Sequence, residues 1–237
     1  MKLPLKTCGT AVTVVALGLA LAGCGSASKT DASSSSSSST SSSSKPSKSS
    51  SSEPSSTKPT AGANETIATY IKEAGITETP VKRGDPGSPE INLPVPAGWA
   101  DAGAKTPPYA WGAILDSDPA AAADPPTIVA LLSKLTGPVE PAKIFQYAPG
   151  ELNNLPGFDG AKEGQSTTLG GFDGVQLGGS YVKDGVKRMI AQKTVVIPAK
   201  DGNGVFVLQL NADGPEANIT ALMDATADID ENTTITP

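Results

Sequence analysis

Apolar and polar positions fall into three regimes along the 237 residues. A run at 11–22 is almost wholly apolar, residues 25–63 are dominated by serine, and from 64 onward short apolar stretches recur at helix and strand periods. The third regime predicts a helix over 64–73, with Asn64 as its cap, Ile67, Tyr70 and Ile71 on one face and Gly75 as its stop. Residues 80–89, rich in Pro and Gly, read as a loop. Residues 91–99 alternate as a first strand whose prolines suit a sheet edge or strand end. Residues 109–116 read as a second strand and 117–126 as a loop. For 127–135, Ile128, Leu131, Leu132 and Leu135 fit a helical period, while the short length and flanking Pro and Gly fit a buried strand, which we prefer. A helix starts at Pro141, and strands follow near 165–169, 173–182, 186–197 and 204–211. Asp184-Gly185 marks a hairpin turn, and 200–205 turns the next pair. Residues 215–230 form an amphipathic helix with Ile219, Leu222, Met223, Thr226 and Ile229 inward. The expected fold is α+β: one domain over 64–237 with a central, mostly antiparallel sheet flanked by helices.

The first regime reads as an address. Twelve apolar residues make a helix of about 18 Å, too short for a hydrocarbon core of about 30 Å. Lys2 and Lys6 precede the run, and small residues close it, as in a secretory signal. Leu21-Ala22-Gly23-Cys24 resembles a bacterial lipobox, in which the Cys thiol takes a diacylglycerol and cleavage between Gly23 and Cys24 leaves an acylated Cys as residue one. Residues 1–23 are then a removed signal, and Cys24 is an S-diacylglycerol, N-acylated anchor such as palmitate chains provide. Each buried CH₂ contributes about 0.8 kcal/mol, so two or three chains hold a domain firmly. Residues 24–63 are expected to be a disordered tether, since they cannot bury enough apolar area to offset their ordering entropy. As a flexible coil such a tether spans roughly 35 Å, and its Ser/Thr/Pro content suits O-glycosylation.

Composition removes whole classes of chemistry. The chain has two cysteines and no histidine. Cys8 goes with the signal and Cys24 is occupied, so the folded part has neither disulfide nor thiol site. Without histidine there is no Ser-His-Asp or Cys-His catalysis and no imidazole metal site. No metal or cofactor is expected. Residues 64–237 carry 12 basic and 22 acidic side chains, a balance of −10, which argues against nucleic acid and fits a domain held off an anionic membrane. Plain solvation of the surface explains the charge equally well.

The remaining motifs are weak. Gly170-Gly171 and Gly178-Gly179 fit no nucleotide loop and read as strand bends or close backbone approach. Asp116-Ser117-Asp118 and Asp228-Ile229-Asp230-Glu231 lack the spacing of a calcium loop and read as surface charge. Trp99, Tyr109 and Trp111 stand out because aromatics are only 4% of the chain. They form either an amphipathic wall for a sugar or lipid tail, or ordinary core packing.

Five stretches, "TIATYIKEAGITETPVKRGDPGSPEINLPVPAGW", "DPPTIVALLSKLTG", "PAKIFQYAPGELNNLPGF", "TLGGFDGVQLGGSYVKDGVKRMIAQKTVVIP" and "VFVLQLNAD…ITALMDA", resemble the LpqN/LpqT family of mycobacterial lipoproteins. The resemblance covers about 65–237 together with the lipobox and tether plan. It implies a Mog1/PsbP-like α/β/α sandwich and a non-enzymatic role at the outer face of the plasma membrane, in the cell envelope or at the cell surface. The implied partners are acylated trehalose glycolipids (trehalose-mycolate type), their large envelope exporters and host proteins. The family carries no catalytic motif, so no residue is assigned a catalytic role. A glycolipid-binding module and a protein–protein adaptor without a lipid site are both consistent with it.

Overall fold

In a computed structural model, the described residues are 64–237, so the signal, lipidation and tether expectations at 1–63 lie outside them. The chain runs α1 (Ile67–Glu73), β1 (Thr77–Pro80), β2 (Glu90–Asn92), β3 (Trp99–Asp101), β4 (Gly112–Asp116) and β5 (Thr127–Thr136). It continues through α2 (Pro141–Tyr147), α3 (Pro149–Asn153), β6 (Asp159–Gly160), β7 (Gln165–Leu169), β8 (Phe172–Lys183) and β9 (Val186–Pro198). It ends in β10 (Val205–Pro215), α4 (Ile219–Asn232) and β11 (Thr234–Thr236). Nine strands form one antiparallel sheet in the order β3-β4-β5-β10-β9-β8-β6, with β1 beside β5 and β7 beside β8. β11 and β2 pair separately.

The sheet is two-sided, and each side has its own core. On one face, Leu208, Ile197 and Val195 are fully buried together with Leu222, Ala225 and Ile229 of α4. On the other, Leu135, Val196 and Val207 pack against Ile67 and Tyr70 of α1 and Ile144 of α2. Each such side chain contributes about 1.5–3 kcal/mol. The α+β reading therefore holds, with helices on both faces.

Residues 127–136 are a strand. Ile128, Ala130 and Leu132 are buried on the α4 side and Leu135 in the opposite core. Burial alternates from Thr127 to Ser133, but Val129 and Leu131 on the other face are apolar too, so the sequence itself does not alternate and its period is ambiguous. The turn at Asp184-Gly185 is a two-residue hairpin with φ of 52° and 78°. Positive φ at both positions matches the twist of the flanking strands and favours Asp-Gly.

Several expectations need correcting. Thr66, not Asn64, caps α1, its Oγ1 accepting from the Thr69 N–H at 3.2 Å. Asn64 instead ties the domain's start to Asn154 beyond α3. The stretch 91–99 is not one strand. It splits into β2 and β3 because Pro94 and Pro96 lie between and have no N–H to donate. The second strand starts at Gly112 rather than 109. On α4, Ala225 takes an inward place, while Ile219 and Met223 are 37% and 63% exposed. β1 and β11 are too short and polar to stand out by pattern.

Candidate functional site

The sheet face under α4 is not filled. The register aligns Gly178 with Ala191, Ala191 with Ala212, and Ala212 with Ile128 across four strands. Three of these four residues have at most a methyl group, so α4 spans a gap. A cavity of about 350 Å³ lies there, walled by Ile128, Leu210 and Ile229. A second depression of about 160 Å³ shares Gly178, Ala191, Ala212 and Thr226 with it and leads to Met189, Ile219 and Met223. The two make one apolar groove along α4, reaching the surface at exposed Gly178 and Met223. The Thr226 hydroxyl donates to the carbonyl of Leu222 at 2.9 Å, so it places no unmet polar demand on the groove. At Gly178 an added Cβ would meet the Ile190 carbonyl at 3.4 Å and the Ala191 Cβ at 3.5 Å, which is ordinary contact. Its missing side chain keeps the groove open without being required by the backbone.

One end of the cavity is polar. Lys193 sits opposite Gln176, which sits opposite Gln165, and all three line the cavity with Asp230. The Lys193 ammonium donates to Asp230 Oδ1 at 2.6 Å and to Thr167 Oγ1 at 3.4 Å, with its side chain only 9% exposed. An apolar slot with a few convergent polar groups at one end has the make-up of a site for an amphiphile.

The three singled-out aromatics do not share a wall. Trp111 is buried in the core, and the Arg83 guanidinium lies 4.4 Å over its ring. Lys82 fixes the same loop by donating to the carbonyls of Pro108 and Ala110. A small cavity of about 60 Å³ shares Ile128, Leu210 and Ile229 with the groove and is lined by Trp111 and Arg83. Trp99 lies on the other flank of α4, in a separate open cleft of about 710 Å³. Tyr109 is 68% exposed and lines neither.

On the opposite sheet face, two polar clusters lock strands and loops together. The Tyr181 hydroxyl donates to Asp213 Oδ2 at 2.6 Å, and Arg188 bridges Asp213 and Asp124. Burial, then the bond to the Asp213 carboxylate, pushes the Tyr181 phenol up to about 12. Glu151 accepts from Gln192 at 2.7 Å and Gln209 at 3.1 Å. Burial outweighs those bonds and raises its carboxyl above the ordinary range.

A family described as "Probable lipoprotein LpqN" matches residues 63–236. The chain belongs to the LpqN lipoprotein family. A curated relative, lipoprotein LpqN of Mycobacterium tuberculosis (strain ATCC 25618 / H37Rv), is 55% identical over 179 residues, covering 75% of this chain and 76% of the relative. A crystal structure described as LpqN involved in cell envelope biogenesis of M. tuberculosis superposes with a TM-score of 0.70 at 57% identity. It covers 74% of this chain and the whole of that one. A Pseudomonas aeruginosa protein of unknown function, a putative regulator in its description, matches only at TM-score 0.34 and 15% identity, over 63% of this chain and 91% of that one, too little for any inference.

Sequence reasoning missed the groove of this LpqN-family chain, though two signals were present. Paired glycines in mid-strand left a stretch of sheet without side chains. Lys193 has the same inward parity as Met189, Ala191, Val195 and Ile197, and a lone cation at that parity marks a polar spot in an apolar face.

Proposed function

We propose that this lipoprotein is a non-catalytic, lipid-anchored binding module of the cell envelope, which takes the acyl part of a trehalose-mycolate-type glycolipid into the groove under α4 and assists the envelope transporters that move it. The observation that carries the reading is the groove: apolar along its length, polar at the Lys193–Asp230 end and open at Gly178. An acyl chain gains about 0.8 kcal/mol per buried CH₂ there, and the Gln and Lys donors at its end suit an ester or sugar headgroup. The relative's part in envelope biogenesis supports the setting. Cys24 is the anchoring residue in this reading, with 1–23 as signal and 24–63 as spacer at the outer face of the plasma membrane. The test is titration of the soluble chain, residues 25–237, with trehalose mono- and diacyl esters. Saturable binding is expected, and no binding at high micromolar ligand overturns the reading.

A protein–protein adaptor is the second reading. It is favoured by Ile219 and Met223, which expose apolar surface on the rim of α4. Crosslinking in envelopes separates the two: partners recovered without lipid favour the adaptor.

A further inference from the structure

The second flank of α4 has a different chemistry. Its cleft is bounded by Trp99 and four carboxylates: Asp116 at the end of β4, Asp118 just beyond it, and Asp224 and Asp228 on α4. Among the described residues no lysine or arginine lines it and none of the four forms an ion pair. Asp116 is the decisive residue. It is only 7% exposed and sits opposite Trp99 in the β3–β4 register. Its Oδ1 accepts the Asp118 N–H at 2.9 Å, and Oδ2 has no donor among the described residues. Oδ2 is not sealed off by the fold and opens onto the cleft, where an incoming donor can reach it.

We propose that this cleft docks a basic peptide segment of a partner protein, with a lysine or arginine side chain seated between Trp99 and Asp116. Trp is the preferred ring for a cation, and a guanidinium or ammonium on its face is attracted by the ring quadrupole. Asp224 and Asp228, one helical turn apart on α4, then meet a second cation along the segment. Among the described residues no three acidic groups converge as the ligands of one metal ion would. The carboxylates are instead laid out along an open cleft, which suits an extended polycation. The domain's balance of −10 steers such a partner in from a distance. The site is separate from the acyl groove, so its failure would leave the glycolipid reading standing, and the reverse.

The experiment uses residues 25–237 and a fluorescein-labelled deca-arginine peptide, read by anisotropy at about 0.15 M salt, where the Debye length is about 8 Å. The expected result is saturable binding with a change in Trp99 emission that Trp99→Phe abolishes. The double variant Asp224→Asn/Asp228→Asn weakens binding about tenfold through two lost charge contacts. The control Glu65→Gln/Glu73→Gln removes the same net charge at α1, on the opposite sheet face, and changes affinity less than about twofold because of screening. Absence of saturable binding overturns the proposal. So does an equal loss in the α1 variant, which would mean attraction to net charge alone. Displacement of the peptide by millimolar calcium at fixed ionic strength would make the cleft a metal site and also overturns it.

Discussion

Removing either partner of the Lys193–Asp230 pair should have unequal effects, because the two ends are buried unequally. The Lys193 side chain is 9% exposed and that of Asp230 38%. In Asp230→Ala the ammonium stays inside with only Thr167 Oγ1 at 3.4 Å. Breaking a fully buried pair costs about 3–5 kcal/mol. Asp230 is partly solvated already, which lowers the expected loss to about 2–3 kcal/mol. In Lys193→Met the apolar stem is kept and the carboxylate left behind faces water, so the loss is within about 1 kcal/mol. A domain of this size shifts about 2–4 °C in Tm per kcal/mol, so Asp230→Ala should melt about 4–12 °C lower. Urea unfolding of residues 25–237 gives the free energies, with an unchanged m-value as the check on two-state behaviour. The double variant Lys193→Met/Asp230→Ala should recover to near the Lys193→Met value. If Asp230→Ala costs no more than Lys193→Met, the ammonium is not held in a desolvated site.

Thr194 is fully buried and its Oγ1 has no partner among the described residues, so Thr194→Val should raise stability by about 1 kcal/mol in the same urea assay. Arg188→Met strips Asp213 and Asp124 of their shared cation and should cost about 3 kcal/mol, with faster proteolysis in the 117–126 loop. Glu151 has a folded pKa above its unfolded one, so the native state holds more protons between the two values, and stability falls as pH rises through that window. Glu151→Gln should flatten that fall and be the more stable form at neutral pH, as read from urea midpoints across the acid-to-neutral range.

The long hairpin ladder was readable because turn chemistry and period agreed: Asp184-Gly185, the 200–205 turn and the β-branched run of β9 all point to one register. The N-terminal third was harder for a physical reason. Between 77 and 101 the strands are three or four residues long, so prolines and loop contacts set their limits more than periodicity does. The aromatics illustrate a further limit. Trp99 and Trp111 lie on neighbouring segments, yet Trp111 is covered by Arg83 while Trp99 opens into the acidic cleft. Their directions depend on the break at Pro94 and Pro96 and on where β4 starts, at Gly112, which spacing alone does not reveal. The groove is a product of register across β5, β10, β9 and β8. It becomes visible only when Gly178, Ala191 and Ala212 are seen in one row.

Gly178→Leu closes the groove where it opens, because Gly178 is exposed, its Cβ position is free of clash and a larger side chain there stands in the groove's mouth. Isothermal titration of residues 25–237 with a monoacyl trehalose should show saturable binding for the parent chain and at least about a tenfold loss for Gly178→Leu, with the thermal midpoint unchanged. Equal affinity in a folded Gly178→Leu chain would contradict the account, placing the ligand away from α4.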